Sequence, residues 1–198
     1  MTKAAPKLAP ATRELVLDAA ERVVVMQGVA RMTLDEVARE AALTKGGLLY
    51  HFPSKEALTE AMVDRFVRRF DEAVLDCSAA DENPLNRSIR SYVRATAGQS
   101  TFTGDTFDRV NAAITAALAN YPERLEPVRQ QSERNQRLIV SDAEDPMLAT
   151  IIRFAIDGLW LGENFGLMRI DDAAREAICQ RLIDWTEHRN LPGSGTGA

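Results

Sequence analysis

Two capped segments, each too short to persist alone, follow one another at residues 33–40 and 44–51, with only Ala41-Ala42-Leu43 between them. An isolated helix shorter than about 12–15 residues is marginal in water. Segments of this length therefore survive only by packing on each other and on longer neighbours. Thr33 stands where it can cap the first, TLDEVARE, in which Leu34, Val37 and Ala38 supply a buried side. Asp35 and Glu36 fall at the positive end of that helix dipole. Thr44 caps the second, and Leu48 and Phe52, four residues apart, predict its anchor. A longer helix precedes them, from an N-cap at Thr12 to a stop at Gly28, with Val16, Ala20, Val23 and Val24 on one face. After them Pro53-Ser54 breaks the chain, and Ser54 caps a long fourth helix carrying Leu58, Met62, Phe66, Phe70 and Val74 at helical spacing.

The remainder reads the same way. Residues 81–86 and 98–105 are loops around a fifth helix bearing Ile89, Tyr92 and Val93. Asn120-Tyr121-Pro122 parts a sixth helix from a seventh, and residues 141–146 part the seventh from PMLATIIRFAIDGLWLGENFG. There Asp145 is the cap and Pro146 takes the first helical position, where its missing N–H costs nothing. A last helix starts at Asp172 and runs to about Asn190. No run of alternating β-branched residues competes, so the expected fold is all-α with about nine helices. The expected domains are residues 1–55, residues 56–190 and a small polar tail, residues 191–198.

Charge is distributed unevenly. The net charge is −5, yet residues 1–55 hold eight Lys or Arg against six Asp or Glu, and all four lysines (Lys3, Lys7, Lys45, Lys55) lie there. Phosphate attraction acts over a Debye length of about 8 Å in physiological salt, so a mildly basic head can bind nucleic acid despite an acidic body. Cys77 and Cys179 form no CxxC pair, and His51 and His188 fall in no metal-ligand spacing. No metal or cofactor is expected. The N-terminus has no apolar h-region, and no apolar stretch approaches the 18 or so residues of a membrane span, so a cytoplasmic protein with no membrane partner is expected.

Gly46 and Gly47 sit inside the short segment that Thr44 caps, where each glycine costs about 1 kcal/mol relative to alanine. Such a loss marks unusual dihedrals or the close approach of another surface. A capped helix, a tight link, and a short helix presenting Thr-Lys-Gly-Gly, followed by Pro-Ser-Lys-Glu, make a helix-turn-helix with a supporting helix on either side. The stretch from about residue 12 to residue 58 resembles the tetracycline-repressor (TetR) family of bacterial transcription regulators. Gly28, Thr33, Val37-Ala38, Ala41, Lys45-Gly46, Leu48 and the run from Tyr50 to Leu58 carry the resemblance. Beyond residue 58 it rests only on helix count and the DGLW-like segment.

The resemblance implies a DNA-binding regulator, not an enzyme, whose partner is double-stranded operator DNA. Gly46 and Gly47 would lie on the face entering the major groove. Lys45 would reach guanine or a phosphate, and Thr44 the backbone. Residues matching Thr33, Tyr50, His51 and Lys55 grip phosphates in the family, which positions the protein without reading sequence. Two positions depart from the family pattern. Ala42 stands where glycine is common in the turn, at a cost of about 1 kcal/mol if φ is positive. Leu49 replaces a tyrosine and either touches a thymine methyl or faces the core. Taken singly, Tyr50 and Phe52 read as packing, His51 as a surface histidine and Lys55 as a solvated charge, and for Phe52 packing is the better reading.

The family's body holds a small-molecule effector and a homodimer interface. The segment after Pro146 is apolar on every face, more than one chain can cover. It supplies Leu161 and Phe165 to the expected interface, with Ile178, Leu182 and Trp185 from the last helix. Phe102, Phe107, Val110, Ile114, Phe154 and Trp160 are candidate pocket walls, with Tyr92, Arg153 and Asn164 as polar handles, suiting a small hydrophobic or aromatic ligand. Two rivals stand beside this reading. One is an architectural DNA-binding protein without a ligand; the other is a small all-α enzyme using Asp157 and Glu163, whose six-residue separation puts the carboxylates on divergent faces.

Overall fold

A computed structural model describes residues 9–99 and 125–187. The described residues form eight helices and no strand: α1 (Ala9–Arg31), α2 (Leu34–Glu40), α3 (Lys45–His51), α4 (Lys55–Ala79), α5 (Arg87–Gln99), α6 (Glu126–Ser141), α7 (Pro146–Asn164) and α8 (Asp172–Thr186). The sixth predicted helix and the tail at 191–198 lie outside the described residues, as do residues 188–190 of the last predicted helix. The described residues form two compact units, 9–66 with 125–127, and 67–99 with 128–187. The first unit therefore extends past residue 55, and α4 belongs to both.

In the first unit the apolar positions of α1 become a buried stripe, with Val16, Leu17, Ala20 and Val24 all essentially inaccessible. Thr12 is not the N-cap: the helix already runs from Ala9. Gly28 does break it, at φ 79, ψ 161, a region open essentially to glycine alone. Val37 and Ala38 bury α2 as expected, whereas Leu34 at its first position is only half-buried. The link to α3 turns through Ala42, whose φ of 54 is the left-handed conformation anticipated there. The Leu43 N–H donates to the Ala38 carbonyl at 2.8 Å and closes the turn. Arg65 of α4 binds α1 through Glu14, Asp18 and Glu21, a nearly buried guanidinium among three carboxylates.

The second unit packs Phe70, Ile89, Tyr92, Val93, Ile139, Ile152, Ile156 and Leu182 into one core. The loop before α5 is built on charge. Arg90, 1% exposed, donates to both Asp81 oxygens (2.8 and 3.1 Å) and to the carbonyls of Leu85 and Asn83. These bonds, with Arg94 at 2.7 Å, hold the Asp81 carboxyl down from 3.8 to about 2. Asp145 caps α7 through the N–H groups of Met147 and Leu148, with Pro146 at the first helical position. Gly98 and Gln99, expected in a loop, still belong to α5. No helix among the described residues is long and apolar enough to cross a membrane.

Candidate nucleic-acid interface

Seven residues make α3, and their caps hold them in place. Thr44 is extended at φ −74, ψ 154, and its Oγ1 accepts the Gly47 N–H at 3.1 Å. The Thr44 hydroxyl proton has no acceptor among the described residues. Leu48 is fully buried, so the helix can turn only one face outward, and that face carries Leu49 (37% exposed) and Tyr50 (76%). Leu49 thus takes the surface position of its two alternatives. The Tyr50 ring meets His51 edge-on at 5.1 Å. Phe52 is buried beneath the Arg13 guanidinium, 5.2 Å from its ring centroid, and is packing.

The paired glycines have different reasons. A Cβ at Gly47 would come within 3.3 Å of Thr44 Oγ1, so a larger residue would crowd the cap. At Gly46 a Cβ would meet nothing within 4 Å. The chain gives up about 1 kcal/mol of helix propensity at Gly46 for no internal contact.

Thr33 forms a full capping box. Its Oγ1 accepts the Glu36 N–H at 3.3 Å and donates to Glu36 Oε2 at 2.7 Å, while its N–H donates to the same oxygen at 3.0 Å. The hydroxyl bond, aided by Gln27 Nε2 at 2.9 Å, lowers the Glu36 carboxyl below its ordinary value. Lys45 is ion-paired to Asp35 at 2.9 Å, with both side chains more than half exposed. Surface pairs of this kind are worth about 0–1 kcal/mol, so the pair can open for another anion. Lys55 donates to the Ala30 carbonyl at 2.9 Å, bracing the start of α4 on the end of α1.

In the second unit two of the polar handles come together. The Tyr92 hydroxyl donates to Asp157 Oδ1 at 2.8 Å, and Arg153 lies 3.5 Å from Asp157 Oδ2 and 5.3 Å over the Tyr92 ring. Arg153 also donates to the Ser132 carbonyl, Ser132 Oγ and Gln136 Oε1. Burial raises the titration of the Tyr92 hydroxyl and of the Asp157 carboxyl above their ordinary values. Sequence reasoning missed Asp157, Ser132 and Gln136 in this role, although Arg153 and Asp157 stand four apart on one helix. Asp157 serves Tyr92 and Arg153, while Glu163 pairs with Arg175 at 3.1 Å, so the carboxylates of the enzyme alternative serve separate networks.

Other handles do not converge. Asn164 spends its amide on the Trp160 carbonyl at 2.9 Å, and the buried Trp160 Nε1 has no partner among the described residues. Phe154, a candidate pocket wall, is 65% exposed. Phe102, Phe107, Val110 and Ile114 lie outside the described residues. Of the interface candidates, Leu161, Phe165 and Ile178 are 42%, 41% and 37% exposed. Leu182 is 4% exposed within the chain's own core, and Trp185 packs against that core. Leu182 therefore has no surface left to offer a partner.

A three-helix head whose short helix turns outward, joined to a separate helical unit with its own core, defines the class of helix-turn-helix regulators. Residues 16–62 match the profile of bacterial regulatory proteins of the tetR family, and residues 86–187 that of the tetracyclin repressor-like C-terminal domain. The chain belongs to the TetR family. It is 34% identical to the HTH-type transcriptional regulator TtgR of Pseudomonas putida, over 43% of this chain and only 41% of that protein. It is 23% identical to the HTH-type transcriptional repressor NemR of Escherichia coli over 77% of this chain and 82% of that one. Among solved structures, the multidrug binding protein EbrR complexed with imidazole superposes with a TM-score of 0.63 at 25% identity, covering 96% of each chain.

Proposed function

We propose that the chain is a homodimeric repressor that docks α3 in the major groove of a palindromic operator and is released by a small hydrophobic or aromatic ligand. It would act in the cytoplasm, where its DNA is. The observation that carries the DNA reading is Gly46, a helix-weakening residue whose absent side chain faces open space. Contact with a duplex offsets the lost propensity, because a bare helix start can approach base edges closely. Lys45 precedes Gly46 and Tyr50 lies one helical turn beyond it, Lys45 exchanging Asp35 for a phosphate or a guanine. Thr33, His51 and Lys55 fix the docking angle.

The dimer reading rests on α7. Met147, Ile151, Phe154, Leu161 and Phe165 are exposed at helical spacing, between 41% and 69%, a longer apolar stripe than a monomer ordinarily leaves in water. A second copy of the stripe covers it symmetrically, with Ile178 at its edge. The effector reading draws on EbrR, a multidrug binding protein also solved with malachite green, and on Tyr92, whose ring packs in the apolar core of the second unit. A ligand that prefers dimers with recognition helices too far apart for successive grooves, about 34–36 Å, lowers operator affinity by its own preference ratio. Selection from random duplexes tests the proposal. The purified chain should enrich one palindrome with half-sites a helical turn apart, whereas flat enrichment would leave only an architectural DNA binder.

A further inference from the structure

The Lys and Arg side chains between residues 11 and 66 are not equally available to an anion. Arg13 lies over Phe52 and 3.9 Å from Glu14. Arg22 is paired to Glu40 at 2.6 Å and Lys45 to Asp35 at 2.9 Å. Lys55 holds the Ala30 carbonyl, and Arg65 is buried among three carboxylates. Arg39 is exposed but shares a surface groove with Glu36 and Glu40, which offset its field. Arg31 is exposed and has neither a carboxylate nor a carbonyl acceptor among the described residues.

A basic residue in the last turn of a helix ordinarily serves the unpaired carbonyls there. That explanation is weak for Arg31, because Lys55 Nζ takes the Ala30 carbonyl at 2.9 Å and Gln27 Nε2 takes the Arg31 carbonyl at 3.4 Å. The backbone at 30–31 is gripped on both carbonyls while the guanidinium is left outward. It lies two residues before Thr33 and beside Lys55, so the residue that touches position 30 and the residue that caps α2 both flank it.

We infer that Arg31 is a further DNA contact of this chain, binding a backbone phosphate beside the junction of α1 and α2. The inference rests on the DNA-binding reading above. A guanidinium fits two phosphate oxygens at once, and such a contact adds affinity without sequence preference.

Salt titration of duplex binding by the purified full chain tests it, on the selected palindrome and on an unrelated duplex of equal length. Arg31→Ala should lower the slope of log K against log salt by about 0.9 per bound subunit and weaken binding about fivefold per subunit at 0.15 M salt, by the same factor on both duplexes. Arg31→Lys should restore the slope, and Arg39→Ala should change it by less than half as much. All three variants should keep the wild-type melting temperature. An unchanged slope in Arg31→Ala overturns the inference while DNA binding stands, and a loss confined to the palindrome overturns the phosphate assignment in favour of base reading. A wild type that binds neither duplex overturns the DNA-binding reading itself.

Discussion

Gly28 and Ala42 show how single residues set the geometry of the head. Gly28 adopts φ 79, ψ 161 with nothing near its missing Cβ, so Gly28→Ala is penalised by backbone strain alone. Urea unfolding should report a loss of about 1–3 kcal/mol. Ala42 is the opposite case, an L-residue held at φ 54 where glycine carries no strain. Ala42→Gly should gain about 1 kcal/mol in the same assay. Both positions are readable in the sequence, Gly28 as a helix stop and Ala42 as a departure from the glycine common in the turn. The Lys45–Asp35 pair is not, because ten residues separate the partners and only the tight α2–α3 turn brings them to 2.9 Å.

At the scale of elements, the helix starts after α1 were legible, as were the buried faces of α1 and α2, whereas the faces of α7 were not. Thr33, Thr44, Ser54 and Asp145 cap as expected because each bond reaches only two or three residues along the chain. Which side of α7 meets the core could not be read, since every side is apolar. Thus Phe154 is on the surface, while Leu182 of α8 is in the core. The α4–α5 link hides a further element-scale device, Asp81 clasped by Arg90. Its folded pKa is depressed, so its contribution is present above about pH 4 and is lost as pH falls through about 2. The shift corresponds to ~2 kcal/mol, which Asp81→Asn should remove at pH 7. Stability measured from pH 5 down to pH 2 should fall more steeply in the wild type than in Asp81→Asn.

At the scale of the whole molecule, two leucines separate dimerisation from folding. Leu161 is 42% exposed on the α7 stripe, and Leu182 is 4% exposed in the core. Leu161→Glu should yield a folded monomer in sedimentation at micromolar concentration, with operator affinity falling at least tenfold. Leu182→Glu should instead lower the melting temperature sharply, because a buried carboxylate there has no partner. A wild type that sediments as a monomer would remove the interface. The polar network of Tyr92, Arg153 and Asp157 was the least legible feature of the described residues, because it spans α5, α6 and α7, and only the Arg153–Asp157 spacing is local.

Gly46→Leu tests the central claim most directly, through its affinity for the selected palindrome measured beside its unfolding free energy. A Cβ at Gly46 meets nothing within 4 Å, so the variant should be as stable as the wild type or more stable by up to ~1 kcal/mol. If α3 enters the major groove with that face inward, the same substitution should weaken palindrome binding at least a hundredfold and leave dimerisation untouched. Undiminished palindrome affinity in a stable Gly46→Leu dimer would contradict the account.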